Sequence, residues 1–213
     1  MKTDELVALL ATGVEAVDAN APARRYLIAV AASTLVALLL MVELLGLRPT
    51  LAQETLIPMF WVREAFCAAL AALGFAAVAR VCRPGRRAGL VPAAMAAPLF
   101  GMWVLAAASW ILAAPQERAD LLFGQTASVC PFLIALLSAP LFLALIWVMR
   151  GLAPTQLRLA GGVGGFAAGA MGALVYSLHC PELAAPFLGI WYVLGMLIPT
   201  AVGAALGPWL LRW

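Results

Sequence analysis

The chain has 213 residues, 65% of them apolar and 11% charged, with a mean hydropathy of +1.03 and a net charge of +3. A soluble domain carries roughly 25% charged residues, so a soluble globular fold is excluded and one integral membrane domain is expected. The small net charge says little about partners, but its distribution along the chain says more.

A cleaved leader is not expected. Asp4, Glu5, Glu15 and Asp18 accompany only Lys2 in the first 20 residues, whereas a leader needs a basic start followed by an apolar run. These residues read instead as an amphipathic helix. Thr3 can cap it, Asp4 and Glu5 suit its positive end, and Gly13 can stop it. Leu6, Leu9 and Leu10 share one face, which Val14 and Val17 would extend; Asp4, Glu5, Thr12 and Glu15 lie opposite. Membrane-surface helices favour basic polar faces. An acidic one fits a groove on a basic protein, through its leucines, or packs against this chain's own inner loops.

Six apolar runs follow, each near the ~20 residues that a bilayer core needs. They are 26–47, 57–80, 90–114, 131–149, 157–178 and 189–211. Ten of the basic residues fall in alternate gaps and at both ends: Lys2, Arg24, Arg25, Arg80, Arg83, Arg86, Arg87, Arg150, Arg158 and Arg212. Three lie on the other side: Arg48, Arg63 and Arg118. Positive charge stays inside, which places both termini in the cytoplasm. The outer gaps are acidic, and Gln116 to Gly124 reads as a short helix on the outer surface.

Glu43 and Arg63 fall at similar depth in the hairpin of the first two spans, so an interhelical ion pair is expected there. No span carries the buried charges of an ion pathway, which weakens a transporter reading. Gly161, Gly165 and Gly169 put small residues on one face of the fifth span. Close packing inside the bundle is the first use of that face, and a homo-oligomer contact is the second.

Four cysteines occur, none in a C-x-x-C pair, which argues against a zinc finger or a thioredoxin-like motif. Cys67 and Cys82 read as structural. Cys130-Pro131 opens the fourth span, and His179-Cys180-Pro181-Glu182 fills the last outer gap. Two thiols on the oxidising side can form a disulfide or, with His179 and Glu182, hold a thiophilic metal ion. Buried cysteine is also a common apolar filler.

The opening KTDELVALLATGVEAVD, the ARR before the first span, the SVCP at 128–131 and the HCPE at 179–182 resemble the NrsF-type membrane anti-sigma factors over nearly the whole chain. The resemblance implies an all-α, six-helix membrane bundle with a sigma-binding segment at 1–25 and a sensor domain at 26–213. Its partner would be an extracytoplasmic-function sigma factor of the sigma-F group, contacted from Thr3 to Asp18, alongside membrane lipid and with no direct nucleic acid. Cys130 and Cys180 would respond to metal or oxidative stress, with no constitutive cofactor and no catalysis. Arg83, Arg86 and Arg87 could add contacts to the partner, and the glycine-rich fifth span could slide to transmit the signal. Two other classes fit the residues: a quinone-linked membrane thiol oxidoreductase using Cys130 and Cys180, and a small metal-ion transporter.

Overall fold

A computed structural model describes residues 2–12, 21–82 and 90–212. It is all-helical among those residues, and six helices are long and apolar enough to cross a membrane: α2 (Ala21–Leu44), α4 (Pro58–Val81), α5 (Val91–Leu112), α7 (Cys130–Arg150), α8 (Leu157–Tyr176), and the run from Ala185 to Leu210. That last run comprises α9 (Ala185–Phe187), a π-helical turn (Leu188–Tyr192) and α10 (Val193–Leu210). Short helices α1 (Thr3–Ala11), α3 (Leu51–Glu54) and α6 (Arg118–Phe123) lie outside the spans. The short helix expected between 116 and 124 is present as α6.

Large apolar residues lie on both sides of the helices. Leu27, Ile28, Leu35, Phe100, Ile111, Phe132, Leu143 and Trp209 are exposed, while the inward faces mix large residues such as Leu70, Ile134, Leu137 and Leu141 with small ones such as Ala37, Ala168 and Ala173. Helix association in lipid cannot draw on water exclusion and depends on close packing. The glycine face of α8 supplies it. Side chains added at Gly161 and Gly165 would run into the backbone carbonyls of Gly203 and Pro199 on α10, and one at Gly169 would come to 2.8 Å from the Met196 carbonyl. The stripe is thus spent on internal packing. On another side of α8, a Cβ at Gly74 would stand 2.9 Å from Ala167 Cα, so α4 also meets it at backbone distance. With α7 packed against it as well, α8 is the central helix. Helix α2 leans on α7. Helix α5 is peripheral: only Val91 and Met102 are buried, and the Trp103 indole donates to the Gly189 carbonyl at 3.0 Å to hold it.

Helix α1 begins one residue earlier than the sequence suggests. Lys2 takes the cap position, its backbone N–H bonded to the Glu5 carboxylate at 3.1 Å, and Thr3 is the first helical residue. Leu6, Leu9 and Leu10 are all exposed on α1. Val14 and Val17, with Gly13, Glu15, Asp18 and the inner-loop arginines Arg83, Arg86 and Arg87, lie outside the described residues.

Candidate functional site: a buried thiol pair

The end of α8 and the start of α7 bring the two Cys-Pro sites together. After Tyr176 the chain tightens: the N–H groups of His179 and Cys180 both donate to the Tyr176 carbonyl, at 2.9 and 3.0 Å. Pro181 then denies the helix another turn. Cys130 is the first residue of α7, its N–H bonded to the Thr126 carbonyl at 2.9 Å, and Pro131 takes the first-turn position where its missing donor costs nothing. Both sulfurs are completely buried, both are free thiols, and they lie within hydrogen-bonding reach of each other.

Aromatic hydroxyls and a threonine line the pair. Thr126 Oγ1 stands 3.8 Å from Cys180 Sγ. The Tyr176 hydroxyl reaches both thiols. The Tyr192 hydroxyl lies beside Cys180 but completes no hydrogen bond. The rings of Tyr176 and Tyr192 sit 6.0 Å apart. Tyr192 reaches this position from the π-helical turn, whose extra residue re-aims the side chains that follow.

Arg63 fastens the cysteine loop to α4. Its side chain is fully buried, and Nη1 donates to the carbonyls of Cys180 at 2.9 Å and Glu182 at 3.2 Å. Its Nε donates to Glu64 at 3.2 Å, and the other oxygen of Glu64 accepts from Ser177 Oγ at 2.9 Å. The Glu182 carboxylate accepts from the Gln125 backbone N–H at 2.7 Å and packs over Gly124, which has a φ of +49°. The loop is therefore tied to α4, to the α6–α7 connection and, through His179 Nδ1 and the Gly46 carbonyl at 3.0 Å, to the end of α2.

Hydrogen bonding to the Cys130 thiol draws the Cys180 thiol down from its ordinary 9.0 to about 6, against the opposing pull of burial. Of the two thiols, Cys180 is therefore the one whose thiolate is favoured, with Cys130 as its donor. Cys82, just beyond α4, is pushed up to about 11 by burial and is inert by comparison. Arg48, ion-paired with Glu54 in the α2–α3 connection, is lowered by burial, with Glu54 opposing.

Two expectations need correction. The Glu43–Arg63 pair does not form: Glu43 is exposed on the outside of α2, while Arg63 turns inward to Glu64 and two loop carbonyls. The loop carbonyls were invisible to a reading that paired only side chains. Nor do His179 and Glu182 join the thiols as a ligand set. Among the described residues no group of three His, Cys, Asp or Glu side chains is placed to hold a metal ion. His179 is engaged with Gly46, and the Glu182 carboxylate with Gln125. What assembles is a pair of thiols. Cys67 is buried within α4. Ser177, Thr126, Tyr176 and Tyr192 are not singled out by the sequence. Tyr176, one helical turn before Cys180, was detectable from spacing.

Ahead of the first span, α1 presents Leu6, Leu9 and Leu10 with no partner among the described residues, and Asp4 and Glu5 on its exposed first turn.

Comparison with known proteins gives the family. The family described as "Negative regulator of sigma F" (NrsF) matches residues 10–213. A probable anti-sigma-F factor NrsF from Azospira oryzae is 51% identical over 213 residues, covering all of both chains. The anti-sigma-F factor NrsF of Caulobacter vibrioides is 37% identical over 218 residues, again at full coverage. No solved structure matches. By a family match over nearly its whole length and full-length identity to two relatives, the chain belongs to the NrsF family of negative regulators of sigma F.

Proposed function

We propose that this chain holds an extracytoplasmic-function sigma factor of the sigma-F group at the bacterial inner membrane and releases it when the outer thiols react. The observation that carries this is the pairing of two features: a buried thiol pair at one end of the bundle and an exposed leucine face on an acidic helix ahead of the span that starts at the opposite end. Both termini lie in the cytoplasm, as the distribution of Lys and Arg supports. Leu6, Leu9 and Leu10 dock into a groove on the sigma factor, and Asp4 and Glu5 meet its basic surface.

The signal is oxidation of Cys130 and Cys180 or capture of a thiophilic ion between them. In the first case the Cys180 thiolate attacks a peroxide and is oxidised to a sulfenic acid as the O–O bond breaks; the Cys130 thiol then attacks that sulfur, the S–O bond breaks, and the Cys130 proton leaves with the departing hydroxide as water, so that a disulfide forms and two electrons have passed to the peroxide. Closure draws the start of α7 toward the end of α8. The inner end of α7 packs beside the start of α2, directly after the sigma-binding segment, so a tilt of α7 reaches that segment. A thiol oxidoreductase would share the lowered Cys180 pKa. Quinone reduction by the purified protein would favour that reading.

One experiment tests both halves. Deleting residues 2–20 should abolish co-purification with the sigma factor. Cys130→Ser and Cys180→Ser variants should still capture it but fail to release it under thiol-reactive stress. Capture by the truncated chain would sink the docking assignment, and wild-type release by both serine variants would sink the sensor.

A further inference from the structure

A cavity of about 680 Å³ opens between the start of α2 and the end of α7, at the end of the bundle opposite the thiols. Arg25 and Arg150 line it from the two helices, together with Pro22, Trp147 and Gly151. Among the described residues neither guanidinium has an ion-pair or hydrogen-bond partner, although each carries a full charge at the edge of an apolar span. The positive end of the α2 dipole adds to the two guanidiniums. The carbonyls ending α7 oppose this, and Arg150 in that last turn offsets them. Among the described lining residues both charged side chains are positive, which suits an anion.

What leads away from the cavity is apolar. Leu143 and Trp147, on one face of α7, are 66% and 68% exposed and form a strip running into the bilayer from the mouth. A free oxyanion has no use for such a strip, whereas a phospholipid does: its phosphate meets the arginines while its acyl chain follows Leu143. Tryptophan at this depth matches the headgroup level, and basic pockets between spans on the cytoplasmic side suit anionic headgroups.

We propose that this cavity binds the phosphate diester of an anionic phospholipid, with Arg25 and Arg150 holding the headgroup and the Leu143–Trp147 strip its acyl chain. The assignment to the inner leaflet rests on the orientation given above; the site itself does not. The lipid sits at the root of the proposed sigma-binding segment and braces α2 against α7.

The test uses the full-length protein in nanodiscs of phosphatidylglycerol or phosphatidylcholine, with retained lipid counted by native mass spectrometry after gentle delipidation. Phosphatidylglycerol should be retained and phosphatidylcholine lost. R25Q/R150Q should weaken retention about thirtyfold, on the scale of roughly one tenfold step or less per basic residue. R25K/R150K should hold retention within a few fold, and R24Q, outside the cavity, should leave it unchanged. Unaltered thermal unfolding of R25Q/R150Q separates lost binding from lost fold. Equal retention of the two lipids, or no effect of the double glutamine variant, overturns the proposal. Displacement of the lipid by millimolar inorganic phosphate also overturns it, in favour of a free-anion site. Loss of sigma capture by R25Q/R150Q in lipid-free detergent would assign the cavity to the protein interface instead. Deleting residues 2–20 should leave lipid retention intact, so failure of the docking assignment and failure of the lipid site give different results.

Discussion

Cys180 and Arg63 carry the site, and each makes a prediction. The rate of attack by a thiol follows its thiolate fraction. With its value near 6, alkylation of Cys180 should rise between pH 5 and 7 and then level, where an ordinary thiol keeps climbing toward pH 9. Cys130→Ala removes the donor that lowers it, so the plateau should move up by more than one pH unit, measured by mass spectrometry of peptide-resolved labelling. An unchanged profile would mean that Cys130 does not set the Cys180 thiolate. Arg63 is the tie between loop and bundle. Arg63→Ala leaves two buried carbonyls and Glu64 without their partner, at a cost of about 3 kcal/mol. Thermal unfolding should register that loss, and Cys180 should label faster as its loop loosens. The sequence exposed half of this chemistry. The repeated Cys-Pro sites marked the thiols because proline fixes where a helix starts or stops. Arg63 was legible as a buried charge needing a partner, but its partners are mainly backbone oxygens more than a hundred residues away, and no side-chain pattern encodes those.

At the level of the helix, α8 shows why glycine was readable. A four-residue repeat of glycine in an apolar run has few uses besides close approach, and the structure puts it against α10 at backbone contact. Gly165→Ala should therefore cost about 3 kcal/mol or more, because the added methyl meets a carbonyl that cannot move alone. Gly101→Ala on α5, where nothing lies within 4 Å, should be neutral. Folded yield after detergent extraction checks both; equal yields would mean that α8 and α10 are not locked. Such locking leaves α8 poorly suited to slide, and in the proposed relay the moving part becomes α7. The π-helical turn was not legible. Nothing in LGIWY distinguishes it from an ordinary helical turn; it leaves Tyr192 beside Cys180 with the Phe187 ring edge-on to it.

Across the whole molecule, hydropathy and proline placed all six spans within a few residues, since a bilayer leaves the backbone no alternative to helix. The sidedness proposed from the basic residues has a direct check. In intact spheroplasts, a membrane-impermeant amine reagent should leave Lys2 untouched. An impermeant maleimide should reach Cys180 in the Arg63→Ala variant. Labelling of Lys2 from outside would invert the relay.

The complete burial of both sulfurs has one further effect. Neither sulfur meets solvent, so oxidant and reductant alike reach the pair only when the Cys180 loop opens; a disulfide that ties this loop down would open less often than the free thiols and would be slow to reduce after the insult had passed. Recovery would then wait on freshly made protein, and the duration of the transcriptional response would reflect turnover of the membrane pool more than the lifetime of the stress.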